Sequence, residues 1–271
     1  MPRKPKMVLE NGIGSPLAFA DELQKRATPD VVDRAVRAGR CDLAFQPIVR
    51  SDTPDTPAYY EGLIRIFDED KRVIPAREFI QEVENTETGR LIDVKALAKT
   101  IHTLRQVPGL VLAVNTSARS IGYAPWTDKI YHVLRKEPDL AKRMVIEISE
   151  TSVMQLPEIV SRFINDLEPK GVQFSLDQFG AGQSSLTYLR DIPFQTLKLD
   201  GRFVLDVSTN PKNQQIVRGV CALAQSLGMH VIAEKVESNA DMRWLQQTGV
   251  SAMQGFLFGI PTLNPNWQSK Q

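Results

Sequence analysis

Short apolar runs rich in β-branched residues recur along the chain and alternate with helix-length stretches. Apolar runs of this length between turn residues are typical of buried strands, and their alternation with helices indicates crossover units and a largely parallel sheet. The eight runs span residues 43–49, 59–67, 110–114, 144–148, 172–176, 196–199, 230–233 and 252–258.

Three of the intervening stretches, 91–104, 213–227 and 238–247, carry apolar residues at helical spacing. The last one opens with Ser238 and Asp241, which have the spacing of a capping box. Residues 18–40 also have helical periodicity, although Pro29 is expected to interrupt that helix.

Eight strands alternating with helices in one domain predict an α/β fold, a closed (β/α)₈ barrel of the TIM type. An open, doubly wound sheet is the alternative. The chain shows no linker or low-complexity tract between residues 40 and 265. We therefore expect a leader and N-terminal helix at 1–40, a barrel domain at 41–265 and a tail at 266–271.

The charge balance excludes some partners. Lys and Arg total 33 and Asp and Glu total 32, so the net charge of +1 gives no reason to expect a nucleic-acid polymer or an acidic membrane. No apolar run approaches the roughly 20 residues of a membrane span, and no signal-peptide core follows the basic start. These features predict a cytoplasmic protein. The two cysteines, Cys41 and Cys221, lack the spacing of a zinc site or a disulfide framework.

Polar residues that are costly to bury stand in or just after nearly every apolar run. They include Glu61, Asn115, Glu147, Asp177, Lys198, Glu234 and Gln254. Because barrel strands end at one common mouth, these side chains are expected to converge. Carboxylates held close together share protons or bind cations, and an oxygen-rich set without His or Cys favours Mg²⁺ or Mn²⁺.

Each of these residues also has a structural explanation when it is taken alone. Glu61 would pair with Arg65, Asn115 would cap the following turn, and Lys198 would be an ion-pair partner. So many coincidences at successive strand ends favour a functional site over separate structural roles.

The ordered set of motifs resembles the EAL domains, which hydrolyse or bind the bacterial second messenger cyclic di-GMP. The resemblance covers roughly residues 40–262, and the order of the motifs is more specific than any one of them. The motifs are Gln46-Pro47-Ile48-Val49, Glu61-Gly62-Leu63 with Arg65, Pro75 to Ile80, Asn115-Thr116-Ser117, Glu147-Ile148-Ser149-Glu150, residues 179–186, Lys198-Leu199-Asp200, Ala233 to Glu237, and Gln254 to Phe258.

The resemblance implies roles for individual residues. A first Mg²⁺ or Mn²⁺ ion would be held by Glu61, Asn115, Glu147 and Asp177. Asp177 would bridge to a second ion near Gln178 and Glu234, and Ca²⁺ would inhibit. The catalytic residues would be Glu61, Lys198 and Glu234, with Lys198 orienting the attacking water. The dinucleotide would contact Gln46, Leu63, Arg65, Asp200, Glu237 and Gln254, and Glu150 would tether the loop 179–185.

Three positions depart from the family's pattern. Active members carry two adjacent aspartates after the fifth strand, whereas this chain has Asp177-Gln178. A neutral amide holds a divalent ion less tightly than a carboxylate does, so the second ion should be affected most. Lys235 replaces the usual Gly, where its charge would either offset the carboxylates or crowd the loop, and Ser251 replaces the usual Asp.

Three functions remain open from the sequence. The first is a cyclic di-GMP phosphodiesterase that yields linear pGpG with activity reduced by Gln178. The second is an inactive cyclic di-GMP receptor, and the third is an interaction module that keeps only the barrel. The surviving ligand set favours the enzyme. The resemblance also implies a homodimer formed through the loop after the fifth strand and its following helix.

Overall fold

A computed structural model of the chain describes residues 28–182, 186–265 and 267. Its strands are β1 Cys41–Arg50, β2 Pro57–Phe67, β3 Val73–Ile74, β4 Leu112–Asn115, β5 Met144–Ser149, β6 Gln173–Phe179, β7 Thr196–Leu199, β8 His230–Ala233 and β9 Ala252–Gln254. Its α-helices are α1 Pro29–Arg37, α2 Ile80–Val83, α3 Glu87–Gln106, α4 Ala118–Ile121, α5 Ala124–Lys136, α6 Pro138–Ala141, α7 Glu150–Gln155, α8 Pro157–Leu167, α9 Leu186–Asp191, α10 Gly201–Val204, α11 Pro211–Ser226 and α12 Asn239–Gln246. Short 3₁₀ turns occupy Ala76–Glu78 and Glu168–Lys170.

The sheet closes on itself. Its strand order is β1-β9-β8-β7-β6-β5-β4-β2-β3, and β1 also pairs with β2. β1 runs antiparallel to both β2 and β9, and the other pairs around the ring are parallel. This closure confirms the predicted (β/α)₈ barrel and excludes the open doubly wound sheet.

The strand prediction was wrong in two places. β3 was missed, because its two residues are too few to show a period, and it forms a short antiparallel pair with β2. The last run was predicted to span 252–258, but β9 ends at Gln254 and the chain turns, with Phe258 N donating to the Gly255 carbonyl.

The predicted helices are present with small shifts in their bounds. Ser238 caps α12, because its Oγ accepts a hydrogen bond from Asp241 N at 3.1 Å. Pro29 begins α1 instead of interrupting a helix, since the first turn needs no N–H from that residue and proline's fixed φ suits it. Residues 18–27 of the predicted helix lie outside the described residues.

Alternate strand residues build two separate cores. The outward-facing ones, such as Val114, Ile146 and Leu197, pack beneath the helices in the main hydrophobic cluster. A small second cluster fills the barrel interior with Ile48, Ile232 and Ala252, against which Tyr59 packs. Each of these four residues has a polar residue two positions away along the chain, at the mouth of the barrel. In the same order, these polar residues are Gln46, Glu234, Gln254 and Glu61. The strand period of two therefore places these polar side chains inside the barrel, directly above an apolar floor.

The described segments that precede and follow the barrel along the chain pack onto it. α1 buries Val32 and Val36 in a cluster with Ile66 and Ile74 of the β2–β3 hairpin. At the other end, the ring of Trp267 stands 4.2 Å from that of Tyr60. No helix in the described part of the chain is long and apolar enough to cross a membrane.

Candidate active site

The ammonium group of Lys198 lies at the centre of the barrel mouth. The side chain is fully buried on β7, and its Nζ stands 3.0 Å from Glu61 Oε2 and 2.8 Å from Glu147 Oε2. It also lies 3.2 Å from Glu234 Oε1 and 3.5 Å from Asp177 Oδ1. Carboxylates from four strands therefore converge on one cation, as the positions of these residues in the sequence predicted.

Amide side chains complete the surroundings of Glu61. Asn115 Nδ2 donates to Glu61 Oε1 at 2.6 Å, and Gln254 Nε2 donates to Glu61 Oε2 at 2.7 Å. Gln254 also donates to Gln46 Oε1 at 3.2 Å. The structural explanation of Glu61 as a partner of Arg65 is wrong, because the guanidinium of Arg65 donates to a backbone carbonyl instead. Asn115 likewise does not cap the next helix.

The cluster holds more carboxylates than one ammonium can neutralise. If all were ionised, four negative charges would face one positive charge and leave three uncompensated. Burial raises the pKa of Glu147 well above its usual value and raises that of Asp177, although Lys198 opposes both shifts. Burial likewise raises the pKa of Glu234 to about 7. Such a site either keeps protons or takes up a cation.

The pKa values of Glu61 and Lys198 shift in the directions that keep both side chains charged. Burial raises the pKa of Glu61, but Lys198, Gln254 and Asn115 outweigh it and leave the pKa below its usual value. Burial lowers the pKa of Lys198, yet the surrounding carboxylates raise it well above its usual value. The centre of the site is therefore an ion pair with further carboxylates around it.

These residues fit a hard divalent cation. Their donor atoms are carboxylate and amide oxygens, and Glu147 Oε1 is buried without any hydrogen-bond partner in the described part of the chain. Within residues 28–182, 186–265 and 267, no three His, Cys, Asp or Glu side chains surround a common point as ligands. The carboxylates point at Lys198 instead, so binding an ion requires them to turn away from the ammonium.

A cavity of about 700 Å³ opens beside the buried cluster, and it holds several of the predicted site residues. Its lining includes Gln178, Asp200 and Glu237, together with Lys235. Gln178 and Lys235 are exposed and have left-handed backbones, with φ of 55° and 56°. By contrast, Ser251 lies at the foot of β9, where its Oγ accepts a hydrogen bond from Val231 N.

A second cavity, of about 290 Å³, extends from the cluster towards α2 and α3 and is lined by Leu63 and Arg65. It also contains Asp93, which the sequence analysis missed. Asp93 accepts hydrogen bonds from Ser117 N and Ser120 Oγ, and burial raises its pKa to about 6. In the sequence, Asp93 is a single carboxylate between apolar residues of a predicted helix, and such a residue is most often exposed to solvent.

Glu150 reaches the loop that follows β6. Its Oε2 accepts a hydrogen bond from Gly180 N at 3.0 Å, in the loop that begins after Phe179, the last residue of β6. Residues 183–185 of that loop lie outside the described residues, so the predicted dimer contact there stays a prediction.

The sequence profile of the EAL domain family matches residues 30–261. The chain belongs to this family. Among curated relatives, the cyclic di-GMP phosphodiesterase NbdA of Pseudomonas aeruginosa is 28% identical over 253 residues, which is 90% of this chain and 32% of NbdA. The chain spans between a quarter and a third of the length of the first curated relatives that it matches.

Solved structures of EAL proteins share the barrel. The MucR phosphodiesterase of P. aeruginosa in complex with cyclic di-GMP has a TM-score of 0.75 and 26% identity, over 92% of this chain and 99% of that chain. A manganese and cyclic di-GMP complex of BlrP1 from Klebsiella pneumoniae has a TM-score of 0.70 and 28% identity, over 82% of this chain and 56% of that chain.

Proposed function

We propose that this EAL domain binds cyclic di-GMP at its barrel mouth and hydrolyses one phosphodiester to give linear pGpG, with a reduced rate. The observation that carries the proposal is the buried ring of four carboxylates around Lys198. A structural ion pair needs one carboxylate for its ammonium. The surplus of negative charge is expensive to bury unless a cation is bound there.

Glu61, Asn115, Glu147 and Asp177 would hold a Mg²⁺ or Mn²⁺ ion in this proposal. When bound, such an ion supplies Lewis acidity, which stabilises charge on the phosphoryl oxygens and lowers the pKa of water. The amide donors from Asn115 and Gln254 hold the Glu61 carboxylate at the mouth, where it now faces Lys198.

Two side chains would take part in the proton and charge movements. Glu234 has a pKa of about 7, close to the operating pH, which suits a base that removes a proton from the attacking water. Lys198 would place positive charge where water and phosphate meet. One P–O bond to the ribose breaks, the water oxygen ends on phosphorus, and the leaving ribose oxygen takes up a proton.

The second candidate is a receptor that binds cyclic di-GMP without turnover, and Gln178 is the observation that favours it. The side chain faces the cavity beside Asp177 and carries no negative charge. An ion bound at this side of the mouth would have one carboxylate ligand fewer than the family's pattern provides.

One experiment separates the two candidates. The purified chain is incubated with cyclic di-GMP and Mn²⁺, and both bound ligand and linear product are followed for hours. We expect slow product formation that Glu61→Ala abolishes. Binding with no product over that period would support the receptor, and no binding by a folded chain would contradict both. Glu158→Ala, on the exposed surface of α8, is the matched control and should change nothing.

A further inference from the structure

The cavity beside Gln178 contains one cationic side chain that has no counter-ion. Lys235 lines this cavity with Asp200, Glu234 and Glu237, yet none of the described carboxylates lies within ion-pair distance of its ammonium. Gln178 faces the same cavity, and its side chain forms no hydrogen bond with another described residue. Both side chains are therefore free to meet a ligand.

Without a bound divalent ion, Lys198 cannot serve an anionic ligand as readily. Its ammonium has three protons and is already surrounded by four carboxylates at 2.8–3.5 Å. The smaller cavity adjoins the larger one and has its own cation, Arg65, whose guanidinium donates to the Ile64 carbonyl. Each cavity is therefore lined by a cation that forms no salt bridge with a described carboxylate, which matches the two phosphates of a cyclic dinucleotide.

The stem of Lys235 lies against Gly201. A methyl group added to Gly201 would clash with Lys235 Cδ and fall 2.6 Å from its Cγ, so the stem lies directly on the bare backbone of that glycine. Lys235 also holds a left-handed backbone, which costs energy for any residue with a Cβ.

We infer that Lys235 is a phosphate-positioning residue, whose ammonium takes over the role of a second divalent ion that Gln178 no longer attracts. This inference depends on the proposed function and makes it more specific. Relative to the family's pattern, Gln178 removes one negative charge from the cavity and Lys235 adds one positive charge. The two changes act in the same direction: they weaken a cation site and strengthen an anion site.

The first test measures cyclic di-GMP affinity by calorimetry in EDTA, so that no ion contributes. Lys235→Met keeps the stem on Gly201 and removes the charge, and we expect about tenfold weaker binding. Lys235→Arg should retain the affinity. Lys71→Met is the matched control, because Lys71 is also exposed with a φ of 60° but lines neither cavity.

The second test counts Mn²⁺ ions per chain by electron paramagnetic resonance, which requires no turnover. We expect one ion for the wild type and two for the double variant Gln178→Asp, Lys235→Gly.

The possible outcomes separate this inference from the proposed function. Wild-type affinity in Lys235→Met, or two ions in the wild type, would overturn the inference alone. A folded wild type that binds no cyclic di-GMP with or without divalent ions would overturn the proposed function and the inference together.

Discussion

The two halves of the barrel mouth are built differently. The half around Glu61 and Glu147 is buried, and its side chains are held by hydrogen bonds and ion pairs that come from several strands. The half around Gln178 and Lys235 is exposed, and both residues have left-handed conformations, Gln178 near the end of β6 and Lys235 in the loop after β8. The side chains of one half are therefore held inside the barrel, and those of the other half lie exposed at its rim.

This difference indicates where the chain tolerates change. A side chain inside the barrel cannot be altered without leaving a buried charge or a cavity, so substitutions there affect folding and function together. A loop side chain at the rim affects the ligand and little else. The departures from the EAL pattern at 178 and 235 fall in the tolerant half, whereas the buried half keeps Glu61, Asn115, Glu147, Asp177 and Lys198.

Replacing Lys198 with Met should have the largest effect. Without the ammonium, the buried carboxylates repel each other, and we expect the free energy of unfolding to fall by about 3–5 kcal/mol in metal-free buffer. Urea denaturation measures this loss, and added Mn²⁺ should restore part of it. Lys212→Met, on the exposed surface of α11, is the control. Equal unfolding midpoints would contradict the view of Lys198 as the centre of the cluster.

The stability of the metal-free chain should fall as pH rises from 5 to 8. Burial raises the folded pKa of Glu234 from 4.5 to about 7, so the folded state binds more protons between these values. The resulting stability is fully present below pH 4.5 and is lost as the pH rises through 7, by on the order of 2 kcal/mol. Unfolding curves across this range measure the slope. Glu234→Gln should flatten it, and a steep slope in that variant would assign the titration to other groups.

Gln178→Asp should raise the rate of product formation about tenfold, if the missing carboxylate limits turnover. The measurement is initial rate against Mn²⁺ concentration, which should also show a lower half-saturating concentration. Gln178→Asn serves as the control, because Asn tolerates a left-handed backbone as Asp does but carries no negative charge. An equal gain in both variants would indicate backbone relief, and no gain in either would place the defect elsewhere in the loop.

Gly201→Ala should have the smallest effect, about threefold weaker cyclic di-GMP binding in EDTA, because the new methyl group displaces the stem of Lys235. The same change in a Lys235→Gly background should have no effect on binding. This double-mutant comparison isolates the contact between the two residues. Equal losses in both backgrounds would show that Gly201 acts independently of Lys235.

Most of the barrel and the residue content of the buried half could be predicted from the sequence. Glu147 and Asp177 stand at or just after the ends of apolar runs and Glu61 stands within one, and a closed barrel brings such positions together whatever the details of packing. The β2–β3 hairpin could not be predicted in this way, because the two residues of β3 are too few to show an alternating pattern. Asp93 was missed because its hydrogen-bond donors, Ser117 and Ser120, lie more than 20 residues away along the chain.

The sequence by itself determined the barrel, its mouth and the oxygen-rich composition of the site, because strand period and residue type are local properties. Only the tertiary structure decided that Lys198 occupies the centre of the carboxylates, and that Glu61 is held by Asn115 and Gln254 instead of Arg65. It also placed the stem of Lys235 on Gly201. These outcomes depend on distances between side chains from different strands and loops, and only the closed barrel sets those distances.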